Sequence, residues 1–217
     1  MAILLLGGFR VVRVFWVSRN GCTTNHLHGK MTENQSGSRP GYEYLVVYML
    51  GRVIYDLTVE FCQSFLKNPK DPKYPNYRQI EQMEQAGRSN PQNIAEGYTQ
   101  PSLKGYIKLS GIARGSNEEL TKDYEDFLRQ RGLPIWGKDH PKVRGFREFR
   151  VFWKSRKSLK TPKLPKDPVE AANMMLTLCN LEGYMLRKHV ASLEKKHQTE
   201  GGLTERLYQK RKEYRGY

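Results

Sequence analysis

Residues 45–65 read LVVYMLGRVIYDLTVEFCQSF, a stretch in which apolar side chains recur every four residues. One stripe consists of Leu45, Met49, Val53, Leu57, Phe61 and Phe65, and a second consists of Val46, Leu50 and Ile54. This period is typical of an amphipathic helix that packs against other helices. Two stripes exceed what a single buried face needs, so we expect the surplus to form a subunit interface.

A second helix is predicted after the chain breaks at Asn68-Pro69 and Asp71-Pro72. It is expected to begin near Asn76, with Gln79 at the capping-box position. We expect Gly97 to end it as a left-handed cap.

Two more helices complete the predicted set. The third covers about residues 102–131, and we interpret its Gly111 and Gly115 as a close approach between helices, since each glycine weakens a helix by about 1 kcal/mol. The fourth begins at Asp167-Pro168, with Glu170 three residues after the cap. No convincing alternating strands accompany them. The predicted fold class is therefore all-α, an antiparallel up-down four-helix bundle with a basic insert between helices 3 and 4.

The predicted division of the chain follows changes in composition. Residues 1–40 form a leader that is disordered or an over-extended start, and Met31 is the expected biological start because a polar stretch begins there. The remaining segments are bundle helices 1–3 (41–131), a basic aromatic insert (132–167), bundle helix 4 (168–198) and a basic tail (199–217).

Positive charge is concentrated in the insert. The 217 residues carry a formal net charge of +15, and Lys142–Lys166 contains ten basic side chains and one acid. The predicted nucleic-acid-binding residues are Lys142, Arg144, Arg147, Arg150, Lys154, Arg156, Lys157 and Lys160. The aromatic side chains Phe146, Phe149 and Trp153 are candidates for stacking on unpaired bases. Alternatively, their helical spacing indicates that they anchor a short helix on the bundle.

Composition and motifs argue against several classes of protein. The composition excludes collagen, a disulfide scaffold and a membrane bundle. No Walker loop, GxGxxG, GxSxG or HExxH motif is present. Cys22, His26 and His28 form only a partial metal set. We therefore expect no catalytic residue, no metal, no cofactor and no enzyme.

Two motifs about 20 residues apart carry a family resemblance. Residues 82–97 read QMEQAGRSNPQNIAEG, and residues 112–120 read IARGSNEEL. Together they resemble the bacterial four helix bundle protein family. This family includes ribosomal RNA intervening-sequence proteins and the accessory variability determinant of retroelements. Residues 136–141, 168–178 and 200–208 look like the subgroup with a C-terminal suffix domain.

The resemblance implies a helical bundle that assembles into a homo-oligomeric ring, a homopentamer in relatives. It also implies a basic surface for nucleic acid, and a reverse transcriptase as a further partner. The motif residues that carry over by position are Asn93, Glu96, Gly97, Arg114, Gly115, Ser116 and Glu119. We interpret them as structural, with a buried polar network through Asn93, Arg114 and Glu119.

These observations predict a cytoplasmic, non-enzymatic, oligomeric four-helix bundle that binds nucleic acid, RNA in preference to DNA. The alternative is a protein-interaction scaffold or an accessory subunit for a polymerase or reverse transcriptase. No membrane partner is expected, since an uninterrupted apolar stretch of about 18 residues is missing.

Overall fold

The computed structural model describes residues 40–67, 76–154 and 162–216, with side chains left out for 149–154. The described part is all-α and contains no strand. The helices are α1 (Val46–Phe61), α2 (Tyr77–Tyr98), α3 (Leu103–Gln130), α4 (Pro141–Lys154), α5 (Pro168–Glu200) and α6 (Leu203–Arg215). A 3-10 turn at Gly41–Tyr44 precedes α1, and a π-helical turn at Cys62–Leu66 follows it. The predicted all-α class is confirmed.

Side-chain caps fix the starts of three long helices. Asn76 Oδ1 accepts a hydrogen bond from the Gln79 backbone N–H at 3.2 Å. Ser102 Oγ accepts one from Gly105 in the same way. Asp167 Oδ2 accepts one from the Glu170 N–H at 2.8 Å. Each cap satisfies a backbone donor that the first helical turn leaves without a partner. Because the capping side chain and the donor are three residues apart in sequence, these helix starts could be predicted from the sequence.

The core lies where α1, α2, α3 and α5 meet. Contacts run between α1 and α2, α2 and α3, α3 and α5, and α1 and α5. Among the largest fully buried side chains are Phe61, Met83, Leu120, Tyr124, Phe127 and Met174. The short helix α4 packs mainly on α5. The insert between the third and fourth long helices therefore includes a helix of its own, laid on the outside of this core.

Both apolar stripes of α1 are used inside the chain. Leu50 and Ile54, from the second stripe, are each 1% exposed, and Val53 and Leu57 from the first are also buried. Met49 packs against the same core at partial burial. The prediction that the second stripe of α1 forms a subunit interface is therefore wrong. Because α1 packs against both α2 and α5, two of its faces must be apolar.

Two glycine predictions also need correction. Gly97 lies within α2 and has no left-handed backbone. A Cβ at this position would approach Tyr106 Cδ2 to 2.7 Å, so Gly97 permits a close helix contact. In contrast, a Cβ on Gly111 or Gly115 would meet nothing within 4 Å. The close approach predicted at these two glycines is wrong because they lie on the outer side of α3.

Within the described ranges, no helix is long and apolar enough to cross a membrane.

Candidate nucleic-acid interface

The first half of α4 combines an apolar inner side with a basic outer side. Val143 is 5% exposed, and Phe146 is half-buried against the main core. Arg144 and Arg147, which directly follow these two residues, are exposed. Helical periodicity explains this division, since positions 143 and 146 share a face and positions 144 and 147 lie to one side of it. The arrangement leaves two guanidinium groups available to phosphate.

Within the described residues, Lys142 forms contacts that Arg144 and Arg147 do not form. Its ammonium group forms a salt bridge with the Glu170 carboxylate, which joins the start of α4 to the start of α5. The same Nζ lies 5.7 Å from the centre of the Trp136 ring. Lys142 therefore helps to hold α4 in place, and its charge is partly neutralised.

The other predicted basic and aromatic residues are less fully described. Arg150, Lys154, Phe149 and Trp153 belong to α4, but their side chains fall outside the described set. Three further predicted contacts lie outside the described residues, namely Arg156, Lys157 and Lys160. The packing of Phe146 supports the anchoring interpretation for that side chain.

A structured loop before α4 was not identified as functional from the sequence. Trp136 stacks on His140, with ring centroids 4.1 Å apart and planes 13° apart. The Trp136 backbone N–H donates to Asn173 Oδ1 at 2.7 Å, and Asn173 Nδ2 donates to the carbonyls of Pro134 and Val169. Asn173 is 2% exposed, so a buried amide on α5 positions the loop.

This loop forms one side of a groove whose other side is α5. The groove has a volume of about 640 Å³. Its lining includes Trp136, Arg147, Asn180 and Tyr184. The signal available in the sequence was Trp136 close to the basic segment, but only the fold shows that α5 supplies the second aromatic side chain.

The family-motif residues divide into a buried set and an exposed set. Asn93 Nδ2 donates to the carbonyl and the hydroxyl of Ser89, and Ser116 Oγ donates to the same hydroxyl at 2.9 Å. Arg114 and Glu119 are exposed. The predicted buried network through them is therefore wrong, and the two serines complete the network with Asn93. Glu96 and Gly115 are also exposed.

Several polar side chains are buried within the bundle. Among them are Asn90, Asn117 and Glu182, each at most 3% exposed. Asn117 Nδ2 donates to the Cys179 carbonyl, but neither oxygen of Glu182 makes a hydrogen bond. Burial raises the pKa of Glu182 well above its ordinary value, and the Asn90 side chain offsets this by a smaller amount. The burial of Glu182 was not predicted from the sequence.

The cysteines and the candidate metal ligands bear on whether the chain could carry nucleophilic or metal chemistry. Cys62 and Cys179 are buried free thiols, and burial raises the pKa of Cys62 to about 12. Among the described residues, no group of three His, Cys, Asp or Glu side chains is placed to hold a metal ion. The partial set at Cys22, His26 and His28 lies outside them.

The basic tail forms its own helix, α6. It carries five basic and two acidic side chains and has no buried residue. Arg206 donates to the Pro101 carbonyl at 3.1 Å, next to the turn between α2 and α3. The tail therefore adds exposed positive charge at the end of the bundle where α2 and α3 join.

The fold and these surfaces define an all-helical bundle protein with a basic helix packed on its outside. Within this class, residues 52–132 match the model of the family described as 23S rRNA-intervening sequence protein. The resemblance inferred from the two motifs is confirmed over that segment. Comparison with curated proteins and with solved structures gave no match.

Proposed function

We propose that this chain is a non-enzymatic, cytoplasmic bundle protein that binds nucleic acid, RNA in preference to DNA, through its basic surfaces. The observation that carries the proposal is the outer side of α4, where Arg144 and Arg147 are exposed on a helix held by Val143 and Phe146. Exposed cations on a fixed helix can neutralise phosphates and release counterions. The family match to a protein named for a ribosomal RNA segment favours RNA.

The proposal includes an antiparallel up-down arrangement of the four long helices. Between α2 and α3, Gly97 faces Tyr106 and Ser89 bonds to Ser116. Residues late in α2 thus contact residues early in α3, which is the pattern of two antiparallel helices. The Tyr106–His189 ring contact and the Asn117–Cys179 hydrogen bond give the same order between α3 and α5.

We also propose assembly into a homo-oligomeric ring, a pentamer, on the basis of the family resemblance. In such a ring, repeated basic surfaces would raise the affinity for one long polyanion through avidity. Light scattering on the purified chain measures the mass of the assembly directly.

An alternative function is a protein-interaction scaffold or an accessory subunit for a polymerase or reverse transcriptase. One observation favours it: the outer side of α3 is open at Gly111 and Gly115, and Ile112 between them is 44% exposed. A flat, partly apolar helix face admits close approach by another chain. Binding there would tolerate salt, unlike phosphate binding.

The test of nucleic-acid binding is affinity for single-stranded RNA and DNA at several salt concentrations. We expect log K to fall linearly with log salt, with a slope of about −0.7 for each phosphate neutralised on a single strand. Changing both Arg144 and Arg147 to Gln should make the slope shallower by about 1.4 if both contact phosphate. The matched control changes Lys104 and Lys108 to Gln, which removes the same charge from exposed positions on α3.

Two results would count against the proposal. An absence of binding to either polymer at low salt removes the nucleic-acid function and favours the scaffold. An equal loss of affinity in the α4 variant and the α3 control assigns binding to net charge alone and not to α4.

A further inference from the structure

We propose that the groove between the 135–147 segment and α5 holds an unpaired base of single-stranded nucleic acid, with the adjoining phosphates on its rim. The inference rests on the proposed nucleic-acid function and goes beyond it by naming the site of base contact. We call this site the Trp136 groove; it is lined by residues of the loop, α3, α4 and α5, among them Trp136, Val143, Arg147, Asn180 and Tyr184.

The size and apolar floor of the groove suit a planar aromatic ligand. Its volume of about 640 Å³ lies within the range of small-molecule sites. Val143 and Leu176 are each at most 6% exposed and form part of the floor. Tyr184 contributes an aromatic ring that is 46% exposed. A base placed on this ring would bury apolar area on both partners without displacing any side chain from the core.

The loop side of the groove is rigid before any ligand arrives. Asn173 accepts one hydrogen bond from the Trp136 N–H and donates two, to the carbonyls of Pro134 in the loop and Val169 on α5. His140 stacks on the Trp136 ring, and Lys142 lies over that ring and bonds to Glu170. A preformed aromatic wall reduces the entropy cost of binding.

The charge on the rim fits phosphate. Lys138, Arg147 and Arg187 line the groove and are exposed, and among the described residues Glu125 is the one acid that lines it. In the described part of the chain, none of these three cations forms a salt bridge. Three cations beside one carboxylate favour an anionic ligand, and their position on the rim leaves the floor to an uncharged group.

The groove also offers neutral hydrogen-bonding groups beside the aromatic ring. The Asn180 amide is exposed there and can both donate and accept. A nucleobase uses both kinds of partner at its edge and also stacks its face on an aromatic ring, whereas the carboxylates of an acidic peptide have no face to stack. The combination of ring, amide and cations is how proteins bind unpaired nucleotides. This combination favours a nucleotide over a peptide.

The experiment uses the full chain and two 12-nucleotide probes, a uridine homopolymer and an abasic strand with the same phosphate backbone. The wild-type chain should bind the uridine strand more tightly than the abasic one. Tyr184→Ala should weaken uridine binding by roughly tenfold, within the range measured for loss of one base–aromatic stack, and leave abasic binding unchanged. Tyr184→Phe keeps the ring and should bind both probes like the wild type. Since Tyr184 is half-exposed, equal thermal midpoints for the three chains serve as the folding check.

A second readout reports directly on the groove wall. In a chain with Trp16 and Trp153 changed to Phe, Trp136 is the remaining tryptophan. Uridine strands should change its fluorescence, and Tyr184→Ala should reduce that change at equal strand concentration. Abasic strands should produce a smaller change, because they supply phosphate without a base.

The outcomes separate this inference from the function on which it rests. If Tyr184→Ala binds both strands as the wild type does, the groove is not the base site, although salt-dependent binding still supports the wider function. If the wild type binds neither strand at low salt, both proposals are wrong. If an oligoglutamate peptide binds with the same dependence on Tyr184, the groove recognises acidic peptide and base recognition is refuted.

Discussion

The substitution Glu182→Gln should stabilise the folded chain. Glu182 is fully buried, and both of its carboxyl oxygens lack a hydrogen-bond partner. Burial disfavours the charged carboxylate, so the folded state retains a proton that the unfolded chain releases above its ordinary pKa of 4.5. Glutamine has nearly the same shape, is neutral at every pH, and can donate to Asn90 Oδ1, which has no partner either.

The expected size follows from proton linkage. Because the pKa of Glu182 is raised on folding, its contribution to stability is fully present below pH 4.5 and is lost as pH rises. The loss is about 1.4 kcal/mol for each pH unit over which the folded state stays protonated and the unfolded state does not. The advantage of Glu182→Gln should therefore grow with pH. Between pH 5 and pH 7 the advantage should grow by at most about 3 kcal/mol, which is two pH units at this slope.

Urea unfolding of both chains at pH 5, 6 and 7 measures this advantage. For a chain of this size, each kcal/mol also corresponds to about 2–4 °C in Tm. Glu194→Gln is the matched control, because it makes the same chemical change at an exposed position on α5. The reasoning is refuted if Glu182→Gln is less stable than the wild type, or if its advantage stays constant from pH 5 to pH 7.

Two further predictions concern packing. Gly97→Ala should destabilise the chain by about 1–3 kcal/mol, because the new Cβ meets the Tyr106 ring. Gly115→Ala should stabilise the chain by about 1 kcal/mol, because it improves helix propensity and meets no neighbouring atom. Equal changes in the free energy of urea unfolding would contradict the positions assigned to the two glycines. Tyr124→Phe should cost about 1 kcal/mol, since it removes the bond to Thr58 Oγ1 but leaves the Thr58 bond to the Ile54 carbonyl intact. Thermal unfolding measures this cost, and the exposed Tyr184→Phe, which should have no effect, is its control.

Helix starts could be predicted because they depend on local chemistry. The caps at Asn76 and Asp167 use side chains that bond to backbone groups three residues away, and this spacing is visible in the sequence. Apolar periodicity likewise located the long helices. These signals determine what each segment becomes, and they do not depend on which neighbour it meets.

The faces of the helices were harder to assign, because a face depends on partners distant in sequence. Gly111 and Gly115 have the spacing of a close contact, but α3 turns them outward. Glu182 was overlooked because a glutamate within a helix usually lies in solvent. Its spacing was nevertheless informative, since Leu178 and Leu186, four residues to either side, are both fully buried.

Most of the proposed base site lies outside the family match, although Glu125 of its lining lies inside it. The match covers residues 52–132, whereas every loop, α4 and α5 residue of the Trp136 groove lies beyond it. Within the matched segment, the motif residues Arg114 and Glu119 are exposed. Packing inside this chain therefore does not explain why the family motif contains these two residues. The proposed functions would give neighbouring surfaces different partners, with protein chains on the exposed side of α3 and nucleic acid in the groove, although Asn180 and Arg187 line both the groove and the cavity beside Arg114. Arg114→Ala should then change the mass of the assembly without changing the preference for uridine over abasic strands, and Tyr184→Ala should do the reverse. If either variant changes both properties, the two surfaces act as one.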